Sequence, residues 1–478
     1  MFREDFCGAA SDNPSQAFLP DNVRFTMHSA TRHLAFAWPS LALLIGTVAY
    51  AGSGDAADPT TATALNAQGA SALSSRRPPP PPATDATLAL VSASASGQAA
   101  RGSICGVSAD GSKVLFSSDA SNLISGDASF TQDLFLKDLN GNGITRVVMG
   151  TSFCLALTPD ANTVVYTSEA PSIFPPIRVK NLRTGAVTVV TPPLSTFPNV
   201  AGYQFAGISD DGLRVAFIAQ PTGTCSGYNC TALGPARMLL HDLATGQLVS
   251  LESQVRLTTS QGRAAGNAWL SPDGRTLAFS TYGPYPELGD SNIQSDVFAL
   301  DIASGALQWV NTDGAGNRVG FAGFSTSGPA FGVQDFLSNN SKVAFYAGSG
   351  TNVGAAGIYV KDLASGALTR VMGTQGNVVG YRAAVSFSDD GRKAAYVVSI
   401  GNTSTGKRVP TVLDLPSGAA LNVATLSNGT VGNGNTTVSI LMSRDGEAAV
   451  FDNNATNLLG GRPPGGGAEL RAYRKLLP

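Results

Sequence analysis

The chain has 478 residues, 43% of them hydrophobic and 13% charged, with a net charge of -2. That length is ample for one large core or two smaller ones. The near-neutral balance excludes the electrostatic footprint of a nucleic-acid binder. With 54 Gly, 27 Pro and so few charges, the composition fits a turn-rich β chain better than a helical one.

The first element is an apolar segment, "LAFAWPSLALLIGTV" from Leu34 to Val48, preceded by Arg32 and His33 and followed by Ala49-Tyr50-Ala51. This is the pattern of an export signal with an A-x-A cleavage site. The run is short for a membrane span and contains Pro39. Residues 1–51 are therefore read as a signal region, with a retained membrane anchor as the alternative. Met27 suits the true start, since "MHSATRHLAFAW" makes an ordinary signal n-region. No Cys follows the cleavage site closely, which argues against a lipoprotein. The expected location is the bacterial periplasm or the exterior. Residues 52–85, with "SSRRPPPPP", are a Pro-rich disordered linker.

Beyond the linker the chain repeats. Six residues after Asp110 of "SADGSKVLF" stands Phe116, and the same step joins Asp273 of "SPDGRTLAF" to Phe279. It also joins Asp160 to Tyr166, Asp211 to Phe217, Asn339 to Phe345, Asp390 to Tyr396 and Asp445 to Phe451. Three residues before these anchors stand Val107, Leu157, Ile208, Leu270, Phe336, Phe387 and Met442, all apolar. Seven units of similar length mark a repeat architecture. Each unit reads as four strands. The first enters a D-G turn, the second ends on the aromatic, and the third carries a run such as "DLFLKDL" or "DVFALDI". A "TG" or "SG" turn (Gly185, Gly246, Gly305, Gly366, Gly418) leads into the fourth.

Four-stranded antiparallel sheets repeated radially predict an all-β fold, a seven-bladed β-propeller over residues 86–478. The seventh unit lacks its fourth strand. The stretch "ATLALVSASASGQAARG" from Ala86 supplies one, so the N-terminal strand is expected to pair into the last blade and close the ring. The motifs "SPDGRTLAF", "SADGSKVLF" and "DVFALDIASG" resemble the WD-like repeats of the TolB-like propeller family. The resemblance spans residues 86–478 and implies the fold far more than any function. TolB carries an α/β domain where this chain has the linker, so TolB's role in the envelope Tol–Pal machinery is not carried over.

Four cysteines follow the signal: Cys105, Cys154, Cys225 and Cys230. An even count in an exported chain suggests disulfides. Cys225 and Cys230 flank "SGYN" and suit a bridged hairpin, while Cys105 and Cys154 are either a pair or two buried thiols. Past the signal the one histidine is His241, read as a surface strand residue because Lys137, Lys180 and Lys361 occupy its place in other units. A Ser-His-Asp triad, a G-x-S-x-G elbow and a His-based metal site are thereby excluded. Two carboxylate pairs, Asp127 with Asp133 and Asp290 with Asp296, offer Ca²⁺ ligands or, as the simpler reading, order their loops. "DLNGNG" at Asp138 mimics an EF-hand loop but has Met149 at the twelfth position, so it reads as a hairpin turn. The C-terminal basic cluster (Arg471, Arg474, Lys475) reads as a solvated strand face.

The D-G and T-G turns belong to one face of the ring. The long loops Ser117–Thr131, Ala219–Pro235, Ser280–Gln294 and Asn311–Gly328 belong to the other, which is therefore the expected binding face. Near its central mouth fall Arg101, Tyr203, Gln204, Asn267, Asp335 and Arg382, a polar and aromatic set suited to a peptide or glycan. The expectation is an exported, monomeric, non-catalytic propeller without a cofactor that binds a protein or envelope ligand. A carboxylate-dependent hydrolase or lyase is one alternative, and an adhesive surface protein is another. No nucleic acid is expected as a partner, and a membrane only through an uncleaved signal.

Overall fold

The computed structural model describes residues 85–478 except 128–130, 169–174, 222, 227–228, 233–235, 256–264, 283–284, 292–294, 320–332, 337–341, 348–356, 372–384, 401–406 and 460–468. The expected signal region, and the expected linker up to residue 84, lie outside the described residues. Seven four-stranded antiparallel sheets follow one another along the chain. Blade 1 is Ser103–Val107, Lys113–Ser118, Asp133–Asp138 and Ile144–Val148, hydrogen-bonded in that order. The first strands of blades 2 to 7 are Thr151–Leu157, Val200–Ile208, Ala265–Leu270, Val333–Phe336, Ser386–Phe387 and Thr436–Met442. These first strands meet their counterparts in neighbouring blades and so surround the axis. Blade 7 continues with Ala448–Asn453 and Arg471–Leu476, and its outermost strand is Leu88–Leu90, with Leu88 opposite Lys475 and Leu90 opposite Tyr473. The seven-bladed ring closed by the N-terminal strand is as the repeat predicts. The one α-helix among the described residues is the single turn Glu252–Val255, and no described helix is long and apolar enough to cross a membrane.

The repeat is legible because each conserved position does one packing job. The aromatics six residues past the anchors are all buried, and several pair within their blade, as Phe116 does with Phe135 at 5.7 Å and Phe451 with Tyr473 at 5.6 Å. The apolar clusters join adjacent blades: Val165 and Val179 of blade 2 pack with Phe217 and Leu239 of blade 3. Near the axis the blades converge so closely that side chains no longer fit. A Cβ on Gly106 would lie 2.4 Å from that of Leu157, and one on Gly207 would lie 2.9 Å from that of Leu270.

The D-G turns form a second ring. In blade 1 the Ser108 hydroxyl donates to Asp110 at 2.6 Å, and the same carboxylate oxygen accepts the Ser112 N–H at 3.0 Å. The Ser108 hydroxyl, ahead of the other influences, holds the Asp110 carboxyl down at about 2. Hydroxyl-to-anchor bonds recur at Thr158–Asp160, Ser209–Asp211, Ser271–Asp273, Ser388–Asp390 and Ser443–Asp445. Backbone bonds then link turn to turn: Ala109 N–H to Pro159, Asp210 to Pro272, Asp389 to Arg444 and Asp445 to Ala109.

The third strands correct two expectations. Lys137 and Lys361 are buried, not on the surface, and each reaches the preceding blade. Lys361 Nζ donates to the Thr312 carbonyl at 2.7 Å and Lys180 Nζ to that of Val147 at 2.6 Å. His241 Nδ1 lies 2.7 Å from the Val190 carbonyl and Lys137 Nζ 3.4 Å from that of Ala93. The C-terminal basic cluster behaves alike: Arg471 and Lys475 are buried, and Lys475 donates to the Thr425 carbonyl of blade 6 and the Thr87 hydroxyl. A long cationic side chain there spans the widening gap between blades and satisfies a carbonyl that no strand reaches. Blades 4 and 6 carry Leu300 and Leu413 instead.

Candidate functional site

Each first strand runs from the loop face toward its D-G turn, so its opening residues surround the mouth. In blade 2 that strand begins Thr151-Ser152-Phe153, and Phe153 is 53% exposed. Met149, just ahead of it, is 66% exposed. Two large apolar side chains in water at the head of an inner strand need an explanation that packing within the blade does not give. Beside Phe153, Cys154 forms a disulfide with Cys105, which joins the inner strands of blades 1 and 2. That settles the alternative left open for this pair.

The expected mouth residues separate. Arg101 is exposed and pairs with Asp119 at 3.3 Å. Gln204 is half-buried and accepts from Gln220 at 2.8 Å. Tyr203 is a correction: its ring is buried edge-on to Phe217 at 5.5 Å, inside the core between blades 2 and 3. The strand's alternation turns Tyr203 inward, a detail that the distance to the anchor alone does not reveal. The side chains of Asn267 and Asp335, and all of Arg382, lie outside the described residues. Sequence reading missed Met149 and Phe153. The available signal was a Phe where the same step from the anchor gives Ser103 and Gln204.

Below the mouth, Asp452 is buried between blades 7 and 1. Its carboxylate accepts from the Ser103 hydroxyl at 2.9 Å and the Thr437 N–H at 3.0 Å. Burial pushes this carboxyl above its usual range, against the pull of those donors. The two acidic pairs are buried as well. Arg146 bridges Asp127 at 3.0 Å and Asp133 at 3.1 Å, and Asp133 also accepts the Gly150 N–H. Asp296 accepts from Arg318 and Asn311, both at 2.6 Å, and Asp290 accepts the Tyr285 N–H at 3.3 Å. These contacts order the loops, with a guanidinium against Asp127, Asp133 and Asp296. Among the described residues no three His, Cys, Asp or Glu side chains converge on a point that could hold a metal. Cys225 stands opposite Cys230 in the two-stranded ribbon Gly223–Ser226 with Asn229–Ala232, and their side chains lie outside the described residues.

At the turn end, Arg444 reaches Asp210 at 2.5 Å and stands 3.6 Å from Asp389. These three were not singled out in the sequence, where the turns account for Ser, Asp and Gly but not for the residue before each Asp. A cavity of about 550 Å³ between the turns of blades 6 and 7 is lined by Asp390, Lys393, Asp414 and Glu447. Its groups are already engaged: Lys393 Nζ donates to the carbonyls of Gly446 and Pro478, both at 3.0 Å, and Asp390 and Asp414 bond within their own turns.

No protein-family model matches the chain, and no curated protein sequence does. Solved structures do. The chain is similar to an oligogalacturonate lyase in complex with manganese, at 15% identity and a TM-score of 0.50 over 83% of this chain and 98% of that one. It is similar to the oligogalacturonate lyase of Vibrio parahaemolyticus, at 13% identity and 0.51 over 80% and 90%. TolB from Acinetobacter baumannii aligns at 16% identity and 0.38 over 67% and 62%. At such identities the likeness shows the fold.

Proposed function

We propose that this chain is an exported propeller that binds a protein or envelope ligand through its loop face and performs no chemistry. The observation that carries the reading is the contrast between the two faces at the axis. The turn end is consumed by its own serine–aspartate bonds, turn-to-turn backbone bonds and the Arg444 bridge. The loop end offers Phe153 and Met149 to solvent, with the Arg101–Asp119 pair on the adjoining blade. Aromatic and Arg side chains in such a setting are those that most often dominate binding energy.

The acidic residues support the non-catalytic part. Asp127, Asp133, Asp290 and Asp296 are held by loop donors, and His241 is committed to a carbonyl. The apolar segment before the propeller supports export to the periplasm or beyond.

The test places a photo-crosslinking residue at Phe153 or, as a control, at the exposed turn residue Arg275, and exposes each protein to envelope extract. A discrete adduct from position 153 is expected, and the unlabelled chain with Phe153→Ala and Arg101→Ala should compete for it about 30-fold less well than the unlabelled wild type, a hot-spot loss of roughly 2 kcal/mol. Adducts from position 275 and none from 153 would put the site on the other face. Turnover of an oligosaccharide by the purified chain, abolished by a loop-face substitution, would overturn the non-catalytic reading.

A further inference from the structure

The six described anchor turns share their Ser or Thr and their Asp, yet the residue just before each Asp differs: Ala109, Pro159, Asp210, Pro272, Asp389 and Arg444. Only its backbone enters the turn-to-turn bonds. Three of the six are charged, and the three meet. Arg444 belongs to blade 7, Asp389 to the neighbouring blade 6, and Asp210 to blade 3. Blade 3 is three steps from blade 7 in one direction and four in the other. An ion pair of 2.5 Å between them, linking residues 234 apart, therefore crosses the axis.

We propose that Arg444 is a strut that closes the turn end of the channel and ties blade 7 to the far side of the ring. Blade 7 is the blade that needs a second tie. Its outer strand is held to the other three by hydrogen bonds and packing, with no covalent connection through a turn.

The charged groups facing Asp210 are Arg444 from blade 7, Asp389 from blade 6 and Asp211 from its own turn. Arg214, on the same blade, is turned to Asp242 at 3.7 Å and to the Gly274 carbonyl at 3.1 Å. Burial, first, and the two carboxylates raise the Asp210 carboxyl above its ordinary range, while Arg444 pulls it down. The sign matters. A carboxyl raised in the folded protein takes up its proton more readily there than in the unfolded chain. Acid that neutralises Asp210 therefore does not unfold the ring on its account. The turn aspartates behave in the opposite sense: Asp110, Asp138 and Asp390 all lie below their ordinary range. Acid thus loosens the strut before it reaches the turns that hold the ring.

The experiment melts the full chain as wild type, Arg444→Ala, Asp210→Ala and the double variant, at pH 7 and pH 4.5. At pH 7, Arg444→Ala is expected to lower Tm by about 2 °C, and by less than half of that in the Asp210→Ala background. At pH 4.5 the gap between wild type and Arg444→Ala is narrower than at pH 7 while the wild type stays folded. Millimolar guanidinium restores Arg444→Ala at pH 7 and leaves the double variant unchanged. Amide exchange at Ala109, Asp210 and Asp445, on the ring around this end, quickens in Arg444→Ala. Additive losses at pH 7, or a gap as wide at pH 4.5 as at pH 7, would overturn the strut. Unchanged exchange at all three amides would overturn the closure of the channel. Should Arg444→Ala not fold, Arg444→Lys, whose ammonium reaches one acid only, and Asp210→Asn, which must reproduce the acid state at pH 7, give the same decision.

Discussion

Leu88→Ala is the sharpest single test of how the ring closes. Leu88 is 1% exposed and packs in the cluster that holds Ile440, Phe451 and Tyr473 of blade 7 and Val412 and Val423 of blade 6. It also opens a strand of only three residues, Leu88–Leu90. Isolated three-residue strands fray readily, so the closure model makes a demanding claim: this side chain is as firmly buried as any in a central strand. Truncation of a buried leucine costs about 3 kcal/mol, because the lost burial and the cavity left behind add. At about 2 cal/mol/K of unfolding entropy per residue, that lowers Tm by about 4 °C for a propeller of this length. Urea unfolding followed by fluorescence and by far-ultraviolet dichroism measures it and shows whether one transition serves both probes. Val189→Ala, on an outer-strand residue 44% exposed, is the control and should cost below about 0.5 kcal/mol. Equal losses for Leu88→Ala and Val189→Ala would refute the closure. A deletion of residues 86–95 should destabilise the whole ring and expose the edge of Arg471–Leu476, whereas a deletion of 52–80 should leave Tm unchanged.

The Cys105–Cys154 disulfide closes a loop of 49 residues, so replacing both by Ser should cost about 4 kcal/mol in the chain-entropy model, read from urea midpoints. Gly106→Ala puts a Cβ against that of Leu157 at the junction of blades 1 and 2 and should cost about 2 kcal/mol, part of it returned by Leu157→Gly, measured against the Leu157→Gly chain alone. Acid should unfold the ring late. The Ser108 hydroxyl at Asp110, the Gly141 N–H at Asp138 and the Arg392 N–H at Asp390 hold these carboxyls below their ordinary range. Their stabilisation is complete above the ordinary carboxylate range, near 4, and is lost as pH falls through the folded values, about 2 for Asp110. A melting temperature that already drops steeply between pH 6 and pH 5 would contradict this.

The architecture was legible because a propeller asks the same thing of the chain seven times. Ser108, Asp110 and Phe116 each serve a local bond or a local cluster, and their spacing survives every loop insertion. What was illegible lies between blades. Lys137 and Lys361 look like surface residues at the end of a strand. They are buried because the end of the preceding blade's outer strand stands off by the length of a lysine, and a carbonyl there needs a donor. Tyr203 looked like a mouth residue because it sits the right distance from its anchor. The pleat turned it into the core, and one residue of error in a strand reverses inside and outside.

The candidate sites follow the same division in reverse. A residue that fits the repeat is explained by the repeat, so function is best sought where the repeat is broken. Phe153 breaks it at the loop end, where the same step from the anchor gives Ser103, Gln204, Gly266, Gly332, Ala383 and Val438 and no other aromatic, and it is exposed. Arg444, Asp210 and Asp389 break it at the turn end, where other blades have Ala109, Pro159 or Pro272. The first departure points outward and has no partner within its own blade's packing. The second points across the axis and is satisfied by its own members. A charge set that satisfies itself makes a brace, whereas an aromatic left in water costs free energy until something covers it. That difference is why the loop face carries the binding proposal and the turn face the strut.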